Sequence, residues 1–132
     1  MPNTDSAGAS PAMPVLGTLL SAPEVAQRLG TKPATVRTAV RDHRLLAVAS
    51  EPGRAGQVPE AFLVESGTVP GKTIIMPALQ GTVITLLDLG LTEDEALVWL
   101  FTANDVLGGA TPIEALRRGE KHAVRRAAVF AV

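Results

Sequence analysis

The 132-residue chain lacks several residue types on which common protein functions depend. It has no cysteine, which excludes disulfides, thiolate metal ligands and cysteine nucleophiles. It has no tyrosine, one tryptophan and three phenylalanines, so alanine, valine and leucine have to form the core. A core of this composition favours packed helices over an aromatic-rich β-sandwich.

Targeting and membrane-spanning segments are also missing. The first twenty residues carry no lysine or arginine, so no signal-peptide start is visible. The longest apolar stretch, 74–100, is interrupted by Pro77, Gly81 and Asp88 and does not supply the about 20 continuous apolar residues of a membrane span. We therefore expect a cytoplasmic protein with no membrane partner.

The formal net charge of −1 conceals an uneven distribution. Residues 21–57 carry a net charge of +3, residues 58–115 of −7 and residues 116–132 of +4. Charge asymmetry between segments often tracks the choice of partner. With 46% hydrophobic and 19% charged residues, the chain is expected to fill a core, as one domain or two very small ones.

The pattern along the chain predicts a mainly α fold in three parts. Residues 1–14 are rich in Ala, Ser, Gly and Pro and are predicted to be a disordered tail, whose phosphorylation stays open. Residues 15–73 are predicted to form a winged helix-turn-helix. Residues 74–132 are predicted to form a small helical domain that serves dimerisation or partner binding.

Two short helices are predicted close together near the N-terminus. Ser21 and Glu24 form a capping box at the start of the first helix, and Gly30 suits its end. Thr31 is the expected N-cap of a second helix over 32–42. Such a pair with a short connection is typical of a helix-turn-helix.

The second helix has an apolar side and a basic, hydroxylic side. Its apolar side consists of Val36, Ala39 and Val40. At 100° per residue, the opposite direction is occupied by Ala34, Arg37, Thr38 and Arg41.

A β-hairpin, or wing, is predicted after this helix. Leu45 to Ala49 is expected to be a strand, residues 50–57 form a turn-rich run with Arg54 at the tip, and Val58 resumes apolar character. A short helical turn carrying Phe62 is expected next, and residues 64–73 are expected to be a loop or loose ribbon.

The chemistry of these residues suits double-stranded DNA. An α-helix fits the major groove, where an arginine can bind guanine O6 and N7. Hydroxyls can contact a phosphate or a thymine methyl group, and a wing arginine can enter the minor groove. The predicted DNA-binding residues are Lys32, Thr35, Arg37, Thr38, Arg41, Arg44 and Arg54. Arg37, Thr38 and Arg41 are expected to read bases, and Lys32, Arg44 and Arg54 to contact phosphates or the minor groove. The alternative is a helical hairpin whose basic face is only solvated.

The second half is predicted to be helical. A first helix spans Pro77 to Leu89, and capping boxes at Thr92 and Thr111 start two more. A last helix is expected over about Glu120 to Phe130. Two roles stay open for it: a dimer seam of Val124, Ala128 and Phe130, or an addition of Lys121, Arg125 and Arg126 to the DNA-binding surface.

No catalytic residue, metal ligand or cofactor site is predicted, so we expect no enzymatic activity. Residues 67–73 are one residue short of a phosphate-binding loop. The acids 93–95 suit the start of a helix, and His43 and His122 have no ligating companions.

The helix pair resembles the helix-turn-helix of MerR-type and excisionase-type proteins. The matching segments are Glu24-Val25-Ala26, Leu29-Gly30 and Thr35-Val36-Arg37. Further segments that match a known family are Trp99-Leu100-Phe101, Pro112-Ile113-Glu114-Ala115-Leu116 and Val124-Arg125-Arg126-Ala127. Over about residues 19–130 the chain is similar to this small actinobacterial family of winged-helix DNA-binding proteins with a C-terminal helical domain. This resemblance implies a cytoplasmic DNA-binding regulator without enzymatic activity.

The C-terminal half contains, in order, Trp99-Leu100, Asn104, Leu107-Gly108-Gly109, Thr111-Pro112 and Leu116. In these residues it resembles the toxin-binding domain of Xre/MbcA/ParS-type antitoxins; the alternative is a helical core closed by a Gly-Gly turn. The resemblance implies a protein partner bound through Trp99, Leu107, Gly108 and Gly109. The partners expected are therefore double-stranded DNA together with a second copy of the chain or another protein. The operator sequence, an effector and the direction of regulation stay open.

Overall fold

The computed structural model describes residues 15–49 and 52–131; the tail predicted for 1–14 lies outside the described residues. The fold is mainly α, with a winged helix-turn-helix followed by a helical domain, as the sequence predicts. Within the described residues, none of the helices combines the length and the apolar character needed to cross a bilayer.

The first half contains two helices and two small antiparallel sheets. Its elements are β1 (Leu19–Leu20), α1 (Ala22–Leu29), α2 (Pro33–Arg41), β2 (Val58–Pro59), a 3-10 turn (Glu60–Phe62), β3 (Leu63–Glu65) and β4 (Thr73–Ile75). β1 pairs with β2, with Leu20 opposite Val58. β3 pairs with β4, with Leu63 opposite Ile75.

The start of α1 confirms the predicted capping box. The Ser21 hydroxyl accepts a hydrogen bond from the Glu24 amide at 3.3 Å, and the Ser21 amide donates to Glu24 Oε1 at 2.8 Å. Gly30 ends the helix with a φ of 71°, in the left-handed region that favours glycine.

The predicted N-cap of α2 is wrong by one residue. Lys32, not Thr31, precedes the helix, with a φ of −101° and a ψ of 151°. The reason is Pro33, since a proline forces the residue before it into extended backbone and itself suits the first helical position. α2 ends at Arg41, so it is one residue shorter at each end than the predicted range 32–42.

The wing is present, but its predicted strand pairing is wrong. Val58 pairs with Leu20 of β1 rather than with the segment Leu45–Ala49, which is extended without being a regular strand. The hairpin is closed by hydrogen bonds from the Val48 amide to the Gln57 carbonyl at 2.8 Å and from the Gly56 amide to the Val48 carbonyl at 2.6 Å. Ser50 and Glu51 lie outside the described residues.

The segment expected to be a loop or loose ribbon is a second hairpin. β3 and β4 pair over three residues each, and residues 66–72 connect them. This hairpin contacts α1.

The second half consists of α3 (Leu79–Asp88), α4 (Glu93–Leu100), a 3-10 turn (Asp105–Leu107), α5 (Pro112–Arg117) and α6 (Lys121–Ala128). The capping boxes of α4 and α5 are confirmed, with Thr92 paired to Glu95 and Thr111 to Glu114. α6 is shorter at both ends than the predicted range.

One hydrophobic core joins the two halves. Phe62 of the first half and Phe101 of the second lie with ring centroids 5.6 Å apart. Arg117 of α5 donates to the carbonyls of Ala61 and Leu63 at 2.7 and 3.1 Å. Buried residues of the helix-turn-helix and of α3–α6 therefore belong to one continuous core.

The predicted dimer seam on α6 is wrong for two of its three residues. Val124 and Ala128 are fully buried in the core of their own chain, because α6 packs against α3 and α5. Phe130 remains 74% exposed.

Candidate nucleic-acid interface

The predicted outward face of α2 does lie outward. Val36 and Ala39 are buried against the core, whereas Ala34, Arg37 and Arg41 are exposed and Thr38 is half-buried. This face is therefore accessible to a large ligand such as another macromolecule.

A short chain of hydrogen bonds runs along this face. The Thr38 hydroxyl donates to the Ala34 carbonyl at 3.1 Å, and Arg41 Nη2 donates to the Thr38 hydroxyl at 3.1 Å. Thr38 therefore orients Arg41, a role that helical periodicity alone does not reveal. Arg37 makes no hydrogen bond or ion pair with the residues that the structure describes, so its guanidinium is available to a ligand.

The start of α2 has the features of a phosphate contact. Lys32 is exposed, and no side chain caps the first turn of the helix. Uncapped amides at a helix start favour anions, because the helix dipole is positive there. Thr35, one turn on, is also exposed.

Arg44 and Arg54 extend the basic surface on either side. Arg44 lies in the turn after α2, and its guanidinium is 3.9 Å from the Asp42 carboxylate, a long contact between two half-exposed groups. Arg54 is exposed in the turn 52–56, where Gly53 and Gly56 both have a positive φ. Ala55 and Gly56 line a cleft with Val40, which sets this hairpin beside one edge of α2.

The C-terminal end of α2 is fixed by the second half of the chain. Gln80 of α3 donates to the Asp42 carbonyl at 3.0 Å, and His43 Nε2 lies 2.9 Å from Glu93 Oε2 of α4. These residues are 38 and 50 positions apart in sequence, and no local pattern predicts them. The contacts set the angle at which α2 faces a ligand.

The residues assigned to a protein partner differ in their exposure. Trp99 and Leu107 are half-buried and pack against the core. Gly108 and Gly109 are exposed in a turn with φ values of 69° and 92°. The turn is closed by the Asn104 carbonyl, which accepts from the Gly109 amide at 3.0 Å.

The described residues contain no group of three or more histidine and acidic side chains that could hold a metal ion. The acids of 93–95 lie in the first turn of α4, where Glu95 closes the capping box.

Comparison with known proteins places these features in a family. Residues 11–63 match the model described as the wHTH domain of DNA-binding protein Rv2175c, and residues 76–130 match the Rv2175c C-terminal domain of unknown function. DNA-binding protein Rv2175c of Mycobacterium tuberculosis (strain ATCC 25618 / H37Rv) is 32% identical over 123 residues, covering 83% of this chain and 77% of the relative. The chain belongs to the Rv2175c family.

The fold of the family is seen in a solved structure. The NMR structure of Rv2175c matches this chain with a TM-score of 0.65, 24% identity and full coverage of both chains. The expected winged-helix family with a C-terminal helical domain is thus confirmed as the Rv2175c family. The likeness to MerR-type, excisionase-type and antitoxin proteins stays a prediction.

Proposed function

We propose that this Rv2175c-family protein binds double-stranded DNA and acts as a transcriptional regulator, with α2 in the major groove. The observation that carries the proposal is the outward face of α2, where Arg37 and Arg41 lie one turn apart and exposed. Two arginines spaced in this way can both reach base edges in one groove. The Mycobacterium tuberculosis relative is described as a DNA-binding protein, which supports the same function.

Each predicted residue has a role in this arrangement. Arg37 and Arg41 read base edges, and Thr38 holds Arg41 in position. Lys32 and Thr35 contact phosphates at the start of the helix, and Arg44 contacts the backbone at its end. Arg54, on the wing, contacts the backbone or the minor groove.

The proposal is tested by fluorescence anisotropy with random duplex DNA at two salt concentrations. Wild type is expected to bind in the micromolar range and to weaken steeply with salt, because binding releases counterions from the DNA. Arg37→Ala/Arg41→Ala is expected to bind more weakly, because two positive charges are removed from the face that enters the groove.

The matched control is Arg125→Ala/Arg126→Ala, which removes the same charge from the exposed basic side of α6. Its binding is expected to stay close to that of wild type. No binding by wild type at low salt contradicts the proposal. If only the α6 variant loses DNA affinity, DNA binds α6 rather than α2 and the proposal is wrong.

We further propose that two copies bind one operator. A single recognition helix covers about half of a site, and half-sites lie one helical turn, about 34–36 Å, apart. The dimer surface is not on the buried side of α6, so it involves other residues. Analytical ultracentrifugation of the protein with a selected operator is expected to give two chains per duplex.

In this proposal the protein acts in the cytoplasm, without catalysis, a cofactor or a metal. The antitoxin-type alternative rests on the C-terminal residues alone. It gains support if a toxin reading frame lies beside the gene and its product co-purifies with this chain. It loses support if the gene is solitary.

A further inference from the structure

The outward face of α2 has a hairpin along each of its edges. A cleft of about 310 Å³ lies between α2, which contributes Thr35, Val36 and Ala39, and the end of the β3–β4 hairpin at residues 72–75. The wing at 52–56 lies beside Val40, on the other edge. At 100° per residue, Thr35 and Val40 fall on opposite sides of the outward direction of α2.

The residue that the second hairpin brings to this edge is Lys72. It is exposed and is the one basic residue between positions 58 and 115. Its ammonium group has no hydrogen bond or ion pair with any residue that the structure describes. An unpaired cation in an otherwise acidic segment has no evident structural role there.

The loop that carries Lys72 is held by its own hydrogen bonds. The Ser66 hydroxyl accepts from the Thr68 and Val69 amides at 3.2 and 3.0 Å. The Ser66 amide donates to the Lys72 carbonyl at 2.7 Å, and the Lys72 amide donates to the Val69 carbonyl at 3.2 Å. The backbone of Lys72 is therefore held within the β3–β4 hairpin.

The side of the cleft opposite Lys72 carries a second cation and a hydroxyl group. Arg44 and the exposed Thr35 line the same cleft as Lys72. Glu65, the acid of this hairpin, lies opposite Thr73 and lines a separate cleft with Arg117. The edge of α2 next to β4 thus presents two cations and a hydroxyl, which together attract an anion.

We propose that Lys72 binds a phosphate of the DNA strand that borders the groove on this edge, so that β3–β4 acts as a second wing. A helix in the major groove has a sugar–phosphate strand on each side, because the groove is only about 12 Å wide. The wing with Arg54 reaches one strand, and Lys72 reaches the other. This inference rests on the proposed function.

The test is the salt dependence of binding to random duplex DNA for Lys72→Ala, with Lys121→Ala of α6 as a control of equal charge. The plot of log K against log salt has a negative slope, and Lys72→Ala is expected to make it less steep by about 0.9, the value for one phosphate contact. Its affinity is expected to fall about three- to tenfold, equally for different sequences. Lys72→Arg is expected to keep the wild-type slope, and thermal unfolding checks that each variant is folded.

The outcomes separate this inference from the proposed function. If wild type shows no salt-dependent binding, the proposed function fails. If wild type binds and Lys72→Ala keeps its slope, the function stands and the second wing is overturned. An equal drop in Lys121→Ala also overturns it, because the effect is then one of overall charge.

Discussion

Single residues decide how α2 presents its arginines. Pro33 starts the helix, and Lys32 before it becomes extended for steric reasons. Thr38 lies between Ala34 and Arg41 in a chain of two hydrogen bonds. The sequence predicted which of these residues point outward, since that follows from helical geometry. It did not predict that Thr38 supports Arg41, because that depends on a side-chain rotamer.

Thr38→Val tests this supporting role at the scale of a residue. Valine keeps the shape of threonine but cannot accept the hydrogen bond from Arg41, so we expect a loss of about 0.5–1.5 kcal/mol in DNA affinity. In Arg41→Ala the same change at Thr38 is expected to have almost no effect. Anisotropy titrations of the two single variants and the double variant measure this coupling. Additive losses mean that Thr38 contacts DNA independently of Arg41.

At the scale of elements, local signals predicted helices well and strand pairing poorly. Capping boxes at Ser21, Thr92 and Thr111 involve residues three positions apart, so a single sequence reveals them. β1 and β2 contain two residues each, which is too short for an alternating pattern. Their pairing joins positions about forty residues apart, and only the assembled core selects it.

Two capping boxes make the stability of the elements depend on pH. The pKa of Glu24 lies below the usual range of glutamate because the Ser21 amide donates to the carboxylate, assisted by the Ser21 hydroxyl. The pKa of Glu114 is lowered in the same way by Thr111. A pKa lowered by folding stabilises the folded state above the pKa of the unfolded chain, and this contribution is lost as the pH falls through the folded-state value.

We therefore expect wild type to lose unfolding free energy on the acid side of the pKa of a free glutamate. Glu24→Gln/Glu114→Gln is expected to lose less over the same window, since its caps do not titrate. Urea unfolding at a series of pH values measures the difference. Glu65→Gln, at an exposed glutamate outside the capping boxes, serves as the control and is expected to follow wild type. Parallel profiles for wild type and the double variant contradict this account.

At the scale of the whole molecule, the two matched segments of the family share one core. Phe62 packs against Phe101 with the rings tilted, and Arg117 donates to the carbonyls of Ala61 and Leu63. Gln80 and Glu93 contact the end of α2. The sequence predicted two units in the right order, because composition and periodicity change along the chain. It could not predict that they pack as one body, since these contacts join residues 38 to 56 positions apart.

A shared core predicts one cooperative unfolding transition. Trp99, the single tryptophan, reports on the second half by fluorescence, and circular dichroism reports on all helices. Val25→Ala in α1 removes fully buried methyl groups and is expected to cost about 2 kcal/mol. It is expected to lower the midpoint seen by Trp99 as much as that seen by circular dichroism. A second transition, or an unchanged Trp99 midpoint, means that the halves unfold independently.

The most direct test of the central claim is to follow the backbone amide NMR signals of the protein while duplex DNA is added. We expect the shifts to concentrate in α2 and in the hairpin turns 52–56 and 66–73, with α5 and the exposed side of α6 unaffected. This pattern corresponds to a helix in the major groove with a hairpin on each side. Shifts that concentrate on α6 and leave α2 unchanged contradict the account.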